Sequence, residues 1–568
     1  MTAAALPTGS VLTTSSAGAR AVAARHAARD RDGRVQQVLA LSALMMYLTV
    51  AAWLSAHDLV FPDAMSRVAN GYYVLFSRDP HLAAIGFVWN PLPSLLTMPL
   101  LLATPLWPAL AGHALAGCIV SSLCGAYTVG RFHGLTRDLG AGPATAAALT
   151  VLMAVHPLVL LSAATGASEA MLLAVCVYTA RHLLRWLQTD DPWALVHVGL
   201  GTGLAYLVRY EALAIGVSVG LLVLCVSLLR ARRRSRPWTV SLLDVTLAVT
   251  PLAATFALWS LASRIIMGSW LETFTSQYGN SAQVGTARET IDAVTGGTGM
   301  GHAAAYLLAQ LVHTAPLALP LLLFALVAAW VRADARILAP TVVLGAVLGF
   351  QELTFLFGMS FGWMRFQIAA VPLGLLAAAC LCGAVRSAGL RSDGHRLPAA
   401  FVTLLLVAGL TIAMPLAWIG EADPLLAREE TLARESASAG QYVMMDRIAS
   451  DIDAMSLPDG SVVTDVAYSF AVVLASDRPK QFVITPDRDF TVALNDPGGY
   501  GVRFALVTSR QDSSADAVAT RYPGIFDDGG GVWPPWPGSG RTTQDSPGVS
   551  TDSTTRPRPT DGRGGPSG

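Results

Sequence analysis

The 568-residue sequence predicts a polytopic α-helical membrane protein of about 11 spans, with a small C-terminal α/β domain and a disordered tail. Three observations carry this. Hydrophobic residues make up 53% of the chain and charged residues only 13%. A soluble domain carries about 25% charged residues. A mean hydropathy of +0.50 leaves too little polar surface to face water, which excludes a soluble globular enzyme and a disordered chain alike. Apolar runs of the ~17–25 residues needed to cross a bilayer recur along most of the chain. A polar, β-rich region then follows them.

Taken in order, residues 1–35 form a basic cytoplasmic N-terminus with five arginines. The apolar run after it has no cleavage site and reads as an anchor, not a removed signal. Spans are expected at roughly 36–56, 108–130, 142–163, 166–187, 193–208, 212–230, 241–263, 303–331, 337–357, 366–385 and 397–419. The stretch 91–107 is apolar but broken by prolines, and is expected to lie at the interface or dip into it. Residues 36–420 make up the transmembrane domain, with a long first outer loop at 57–91.

Charge orients these spans. The chain is neutral overall, with 38 basic and 38 acidic residues. With the N-terminus in the cytoplasm, nineteen arginines fall on inner segments and six on outer loops. This is the positive-inside pattern. It predicts a multi-pass plasma-membrane protein with everything after Gly420 outside.

Residues 421–528 should form the extracytoplasmic α/β domain. A polar helix is expected at about 427–455, and strands within Ser461–Val466, Gln481–Thr485 and Arg503–Ser509. Residues 529–568 are rich in Gly, Pro, Ser and Thr and should be disordered. All six cysteines lie in apolar stretches, so no disulfide framework or CxxC metal site is implied. No P-loop, dinucleotide fingerprint or internal repeat is present, and no nucleic-acid partner is expected.

Ionisable groups near a bilayer core are costly, and their presence points to function. Asp63, Arg67, Arg78, Asp79, His81, Glu169, Arg209, Glu211, Glu352 and Arg365 all fall at outer helix ends. Each has a plainer reading. Asp63 would cap a helix opened by Pro62, Asp79-Pro80 would make a turn, and His81 would be a local hydrogen-bond partner. Glu169 would cap a helix N-terminus, Arg209 and Glu211 would pair locally beside Tyr210, and Arg365 would snorkel.

The functional reading joins them in one outward site. Arg67, Arg78, Arg209 and Arg365 would bind a lipid phosphate through charge-assisted bonds. Asp63, with Asp79 or Glu169, would take a proton from an attacking hydroxyl or hold a divalent cation such as Mg or Mn. His81, Tyr210, Glu211 and Glu352 are further site candidates.

The chain resembles the integral-membrane glycosyltransferases of the GT-C class, such as aminoarabinose transferases and protein O-mannosyltransferases. The resemblance covers about residues 36–420. It rests on Asp63 early in the first outer loop, WNPLPSLL at 89–96, TGASEA at 165–170, LVRYEA at 207–212 and MRFQIAAVPL at 364–373. The class usually carries paired acidic residues in that loop, where this chain has a lone Asp63. The usual Pro-Pro-Leu becomes Asn90-Pro91-Leu92-Pro93.

The resemblance implies that Asp63 is the acidic catalytic residue. It implies inverting transfer of a sugar from a polyprenyl-phosphate donor to an extracytoplasmic glycan, lipid or protein. Some members of the class use a divalent metal and others do not. The alternative is a polytopic transporter or lipid-linked-sugar flippase without transferase activity.

Overall fold

The computed structural model describes residues 16–235, 237–387, 412, 428–508 and 516–525. Its helices make the chain a polytopic helical membrane protein. Seven are long and apolar enough to cross a bilayer: Asp30–Ala56, Leu115–Asp138, Ser168–Thr189, Ala212–Arg234, Trp238–Met267, Ala335–Leu356 and Met364–Ser387. Two further expected spans are bent pairs. Pro143–Val155 with Pro157–Ala164 turns by 60°, and Met300–Thr314 with Ala318–Arg332 by 83°. If each pair counts as one span, the total among the described residues is nine. The expected span at 193–208 is the 17-residue helix Pro192–Val208. Apart from residue 412, the span at 397–419 lies outside the described residues, as does the tail at 529–568.

The bends have a common cause. Pro157 and Pro316 lie at the two breaks, where a missing N–H and ring sterics interrupt a helix. The breaks also touch. Buried His156 accepts a bond at Nδ1 from Leu158 N (3.3 Å), and its Nε2 lies 3.0 Å from the Thr314 carbonyl, to which it donates.

The centre of the bundle is formed by Leu115–Asp138, Ser168–Thr189 and Met364–Ser387. Trp238–Met267 is peripheral and exposes Leu242, Leu258 and Ile265, as a lipid-facing helix does. Its inner face meets Pro192–Val208 at Gly199 and Gly203, where a side chain would collide with Leu247 and Pro251. Small residues at such contacts let membrane helices approach closely.

The loop after the first helix carries the helix Pro62–Phe76, a 3-10 turn at Leu82–Ile85 and the helix Leu92–Leu101. Pro62 sits in the first turn, where its missing N–H has no helical partner to lose. The two helices cross at Gly71, whose Cβ position lies 2.8 Å from Thr97 Oγ1 and 2.9 Å from Ser94 O.

The polar helix expected at 427–455 is two helices, Arg428–Ser438 and Gln441–Ala454, broken at Gly440 with φ +65°. Three short strands follow: β1 (Val462–Thr464), β2 (Phe482–Ile484) and β3 (Phe504–Leu506). They form a parallel sheet in the order β2-β1-β3. The helix Val466–Ala475 makes the crossover that parallel pairing of β1 with β2 requires. Val68, Tyr72 and Tyr73 of the loop helix share one buried core with Ile452, Val472 and Phe482. The α/β unit is thus built directly onto the first loop.

Candidate active site

Asp63 and Arg67 are four residues apart on the helix Pro62–Phe76 and therefore share a face. Arg67 is 6% exposed and its guanidinium lies 5.3 Å from the centre of the Trp89 ring. Trp89 is held by its neighbour Asn90, whose Nδ2 donates to Tyr206 O (2.5 Å).

Glu169 stands in the first turn of Ser168–Thr189, where the helix N-terminus favours a negative charge. The turn before it is anchored by Gly166 N donating to Ser121 Oγ (3.0 Å). Arg209 has extended backbone between the helices Pro192–Val208 and Ala212–Arg234, so Arg209-Tyr210-Glu211 forms a sharp break. Arg365 lies in the 3-10 turn Met364–Ala369 ahead of the last described apolar helix.

These parts converge. Arg365 bonds Asp63 with one Nη, places the other 3.5 Å from Glu169 Oε1, and sets Nε 3.0 Å from Glu429 Oε2. Arg209 donates to Glu169 Oε1 (2.6 Å), Ser168 Oγ (3.1 Å) and Glu211 Oε1 (2.7 Å). Gln351 Nε2 donates to the same Glu211 oxygen. Glu169 and Glu211 are fully buried and do not line the cavity described next; they hold the arginines from behind.

A cavity of about 200 Å³ opens beside the network, lined by Asp63, Arg67, Trp89, Arg209, Tyr210, Arg365 and Glu429 among others. Asp63 keeps 38% of its side-chain surface open. Burial resists its ionisation, but the positive charges of Arg365, Arg67 and Arg209 outweigh this and hold its carboxyl below the usual range. Burial works against the charge on Arg209, yet Glu211 and Glu169 raise its pKa above the ordinary value.

Arg67 differs from the other two arginines. Among the described residues it makes no hydrogen bond or ion pair, and its guanidinium lies over the Trp89 ring. Burial depresses its pKa, with Asp63 acting in the opposite sense. A second, apolar crevice lined by Phe61, Ala64, Leu158 and Leu161 meets the cavity at Arg365 and Glu429.

The structure does not bring every sequence-selected residue to this cavity. Arg78 bonds Asp487 (3.3 Å) and Asp489, and Asp79 takes Arg488 (2.5 Å). His81 Nδ1 lies 2.6 Å from the Asp79 carbonyl. All three sit past the far end of the loop helix, about 20 Å from Asp63 at 1.5 Å per residue. Arg78 and Asp79 fasten the loop to the α/β unit. Glu352 is one residue beyond Gln351, hence about 100° around the helix, and does not line the cavity.

Gln351, Glu429, Asn280, Gln283 and Trp363 were not selected from sequence. A glutamine in an apolar run was a readable signal for Gln351. Glu429 lies in a helix full of charges, where nothing set it apart. Asp465, outside this cavity, is 1% exposed. It accepts from Ala467 N (2.9 Å), Tyr278 Oη (2.7 Å) and Ala517 N (2.8 Å).

The residues do not fit a divalent cation bound between Asp63 and Glu169. The Arg365 guanidinium contacts both carboxylates. Among the described residues no group of three or more His, Cys, Asp or Glu side chains is placed to hold a metal. No protein-family model matches the chain, and no curated protein matches it.

Proposed function

We propose that this chain is a membrane glycosyltransferase that moves a sugar from a polyprenyl-phosphate donor to a hydroxyl acceptor in the cell envelope. The observation that carries the reading is Arg67. It is a buried cation on a cavity wall, without a carboxylate partner among the described residues, beside an ionised carboxylate at Asp63. Burying a cation is expensive; Asp63 offsets this only in part, and an anionic ligand in the cavity relieves the rest.

In the proposed reaction Asp63 accepts the proton of the acceptor hydroxyl as its oxygen attacks the anomeric carbon. The bond from that carbon to the phosphate oxygen breaks, with inversion. The departing polyprenyl phosphate keeps the electron pair, and Arg67 and Arg365 stabilise it. Arg209 is neutralised by Glu169 and Glu211 and serves mainly to position the wall. On this reading the cavity and the α/β unit face outward from the plasma membrane, in line with the arginine distribution. The acceptor is an extracytoplasmic glycan, lipid or protein.

The test is transfer in vitro from radiolabelled polyprenyl-phosphate sugars to extracted envelope acceptors. Labelled product supports the reading. The two bent helix pairs favour the alternative of a transporter, since interrupted helices line many transport sites. Counterflow of a sugar lipid in vesicles without product formation would select that alternative.

A further inference from the structure

The cavity has a second wall whose chemistry the charged cluster does not use. It is formed by Asn280 and Gln283 from the short helix Asn280–Thr286, Ser436 from Arg428–Ser438, and the rings of Phe361 and Trp363.

The two rings stack on each other, centroids 5.5 Å apart and 19° from parallel. Between them Gly362 O accepts from Gln310 Nε2 (2.6 Å) and Tyr306 Oη (3.2 Å), which pins the backbone carrying both rings. Asn280 Nδ2 donates to Met359 O (2.8 Å), and Gln283 Nε2 donates to Tyr278 O (2.8 Å). Those bonds settle which end of each amide is nitrogen. They leave Asn280 Oδ1 and Gln283 Oε1 as acceptors with no partner among the described residues. The Ser436 hydroxyl has none there either.

Neutral acceptors, a hydroxyl and flat aromatic faces recognise a particular shape. The ligand must be uncharged, must present hydroxyl donors at its edge, and must offer C–H groups on a face. A second phosphate or a carboxylate would meet only acceptor oxygens from the amides. Binding pockets commonly combine apolar and aromatic lining with a few placed polar groups that set specificity. Trp363 is two residues from Arg365, so this wall adjoins the anion-binding end of the cavity.

We propose that Trp363, Phe361, Asn280, Gln283 and Ser436 form the subsite that binds the sugar ring and selects it by its hydroxyl pattern. This rests on the lipid-phosphate reading above, because the ring is placed relative to a phosphate at Arg67 and Arg365. The ring belongs either to the donor or to the acceptor; the recognition chemistry is the same.

The test uses the full chain in lipid nanodiscs, wild type, Trp363→Ala and the double variant Asn280→Ala/Gln283→Ala. The probes are decaprenyl phosphate and its mannose, glucose and arabinofuranose esters. Methyl glycosides of the same sugars are then titrated onto protein saturated with decaprenyl phosphate. In the wild type, at least one sugar-bearing lipid should bind at least tenfold more tightly than the bare lipid, or one methyl glycoside should bind. The first result assigns the ring to the donor and the second to the acceptor.

Both variants should lose that gain while binding bare decaprenyl phosphate within twofold of the wild type, which shows that they are folded. Wild type that binds the bare lipid but gains nothing from any sugar overturns the subsite alone. So does a gain that survives in both variants. Wild type that binds neither kind of lipid overturns the lipid-phosphate reading, and the subsite with it.

Discussion

The Arg365 guanidinium bonds the Asp63 carboxylate across 302 residues of sequence. The same guanidinium contacts Glu169 and Glu429. One side chain therefore joins the first loop, a central helix and the α/β unit at the rim of the cavity.

The three cavity arginines should separate stability from ligand binding. Arg209→Ala leaves Glu211 buried without its cation and Glu169 with Arg365 alone, and should destabilise the fold by about 3–5 kcal/mol. Arg67→Met removes a cation with no ion-pair partner among the described residues, keeps much of the bulk beside Trp89, and should leave the thermal midpoint unchanged or raise it. It should nevertheless weaken decaprenyl phosphate binding at least tenfold. Thermal melts and lipid titrations on the same preparations check this, and equal loss of stability in both variants would contradict it.

The interface between the loop and the α/β unit should respond to pH through Asp487. Burial raises its carboxyl to about 6, against the lowering effect of Arg78. The folded state thus holds this proton more tightly than the unfolded chain does. Its contribution is favourable at low pH and is lost as pH rises from about 4, the unfolded value, through the folded pKa. Asp487→Asn should therefore gain in thermal midpoint relative to wild type as pH goes from 4 to 6 and hold that gain above it. A difference that does not vary with pH would show that Asp487 does not titrate there.

Tyr278→Phe should loosen the segment that carries Asn280 and Gln283. The Tyr278 hydroxyl donates to Asp465, a bond to a buried carboxylate worth about 1.5–3 kcal/mol. Hydrogen exchange in the peptide around 276–286 should speed up, with little change in the bundle. Unchanged exchange would mean that the segment is held by its other contacts.

His156→Ala should affect both helix breaks together. It removes the partner of Leu158 N and of the Thr314 carbonyl. Each buried group left unsatisfied costs about 1–3 kcal/mol. A drop in thermal midpoint with faster exchange at residues 156–160 and 314–318 is expected. Change at only one of the two breaks would show that they are not coupled.

Much of the site was legible because charge inside apolar sequence is rare. Asp63, Arg67, Arg209 and Arg365 each interrupt or border a hydrophobic run, and the structure gathers all four. Arg78 and Asp79 carried the same kind of signal but lie a helix length from Asp63, a separation implied by the periodicity of 62–76. Asn280, Gln283 and Glu429 sit in polar segments where composition hides them. The strands were readable from short β-branched runs such as Val462-Val463-Thr464. The bends were less so. Pro157 and Pro316 mark the breaks, but their angles come from packing, including the His156 contact that no local pattern records.

In the proposed reaction Asp63 is the general base of a sugar transfer. The most direct measurement compares wild type and Asp63→Asn for transfer from a radiolabelled polyprenyl-phosphate sugar, with donor binding measured in parallel. A base of this kind contributes roughly 10²–10⁴-fold. At least a hundredfold loss of turnover is expected in a variant that still binds decaprenyl phosphate. A folded Asp63→Asn variant that transfers sugar at the wild-type rate would contradict it.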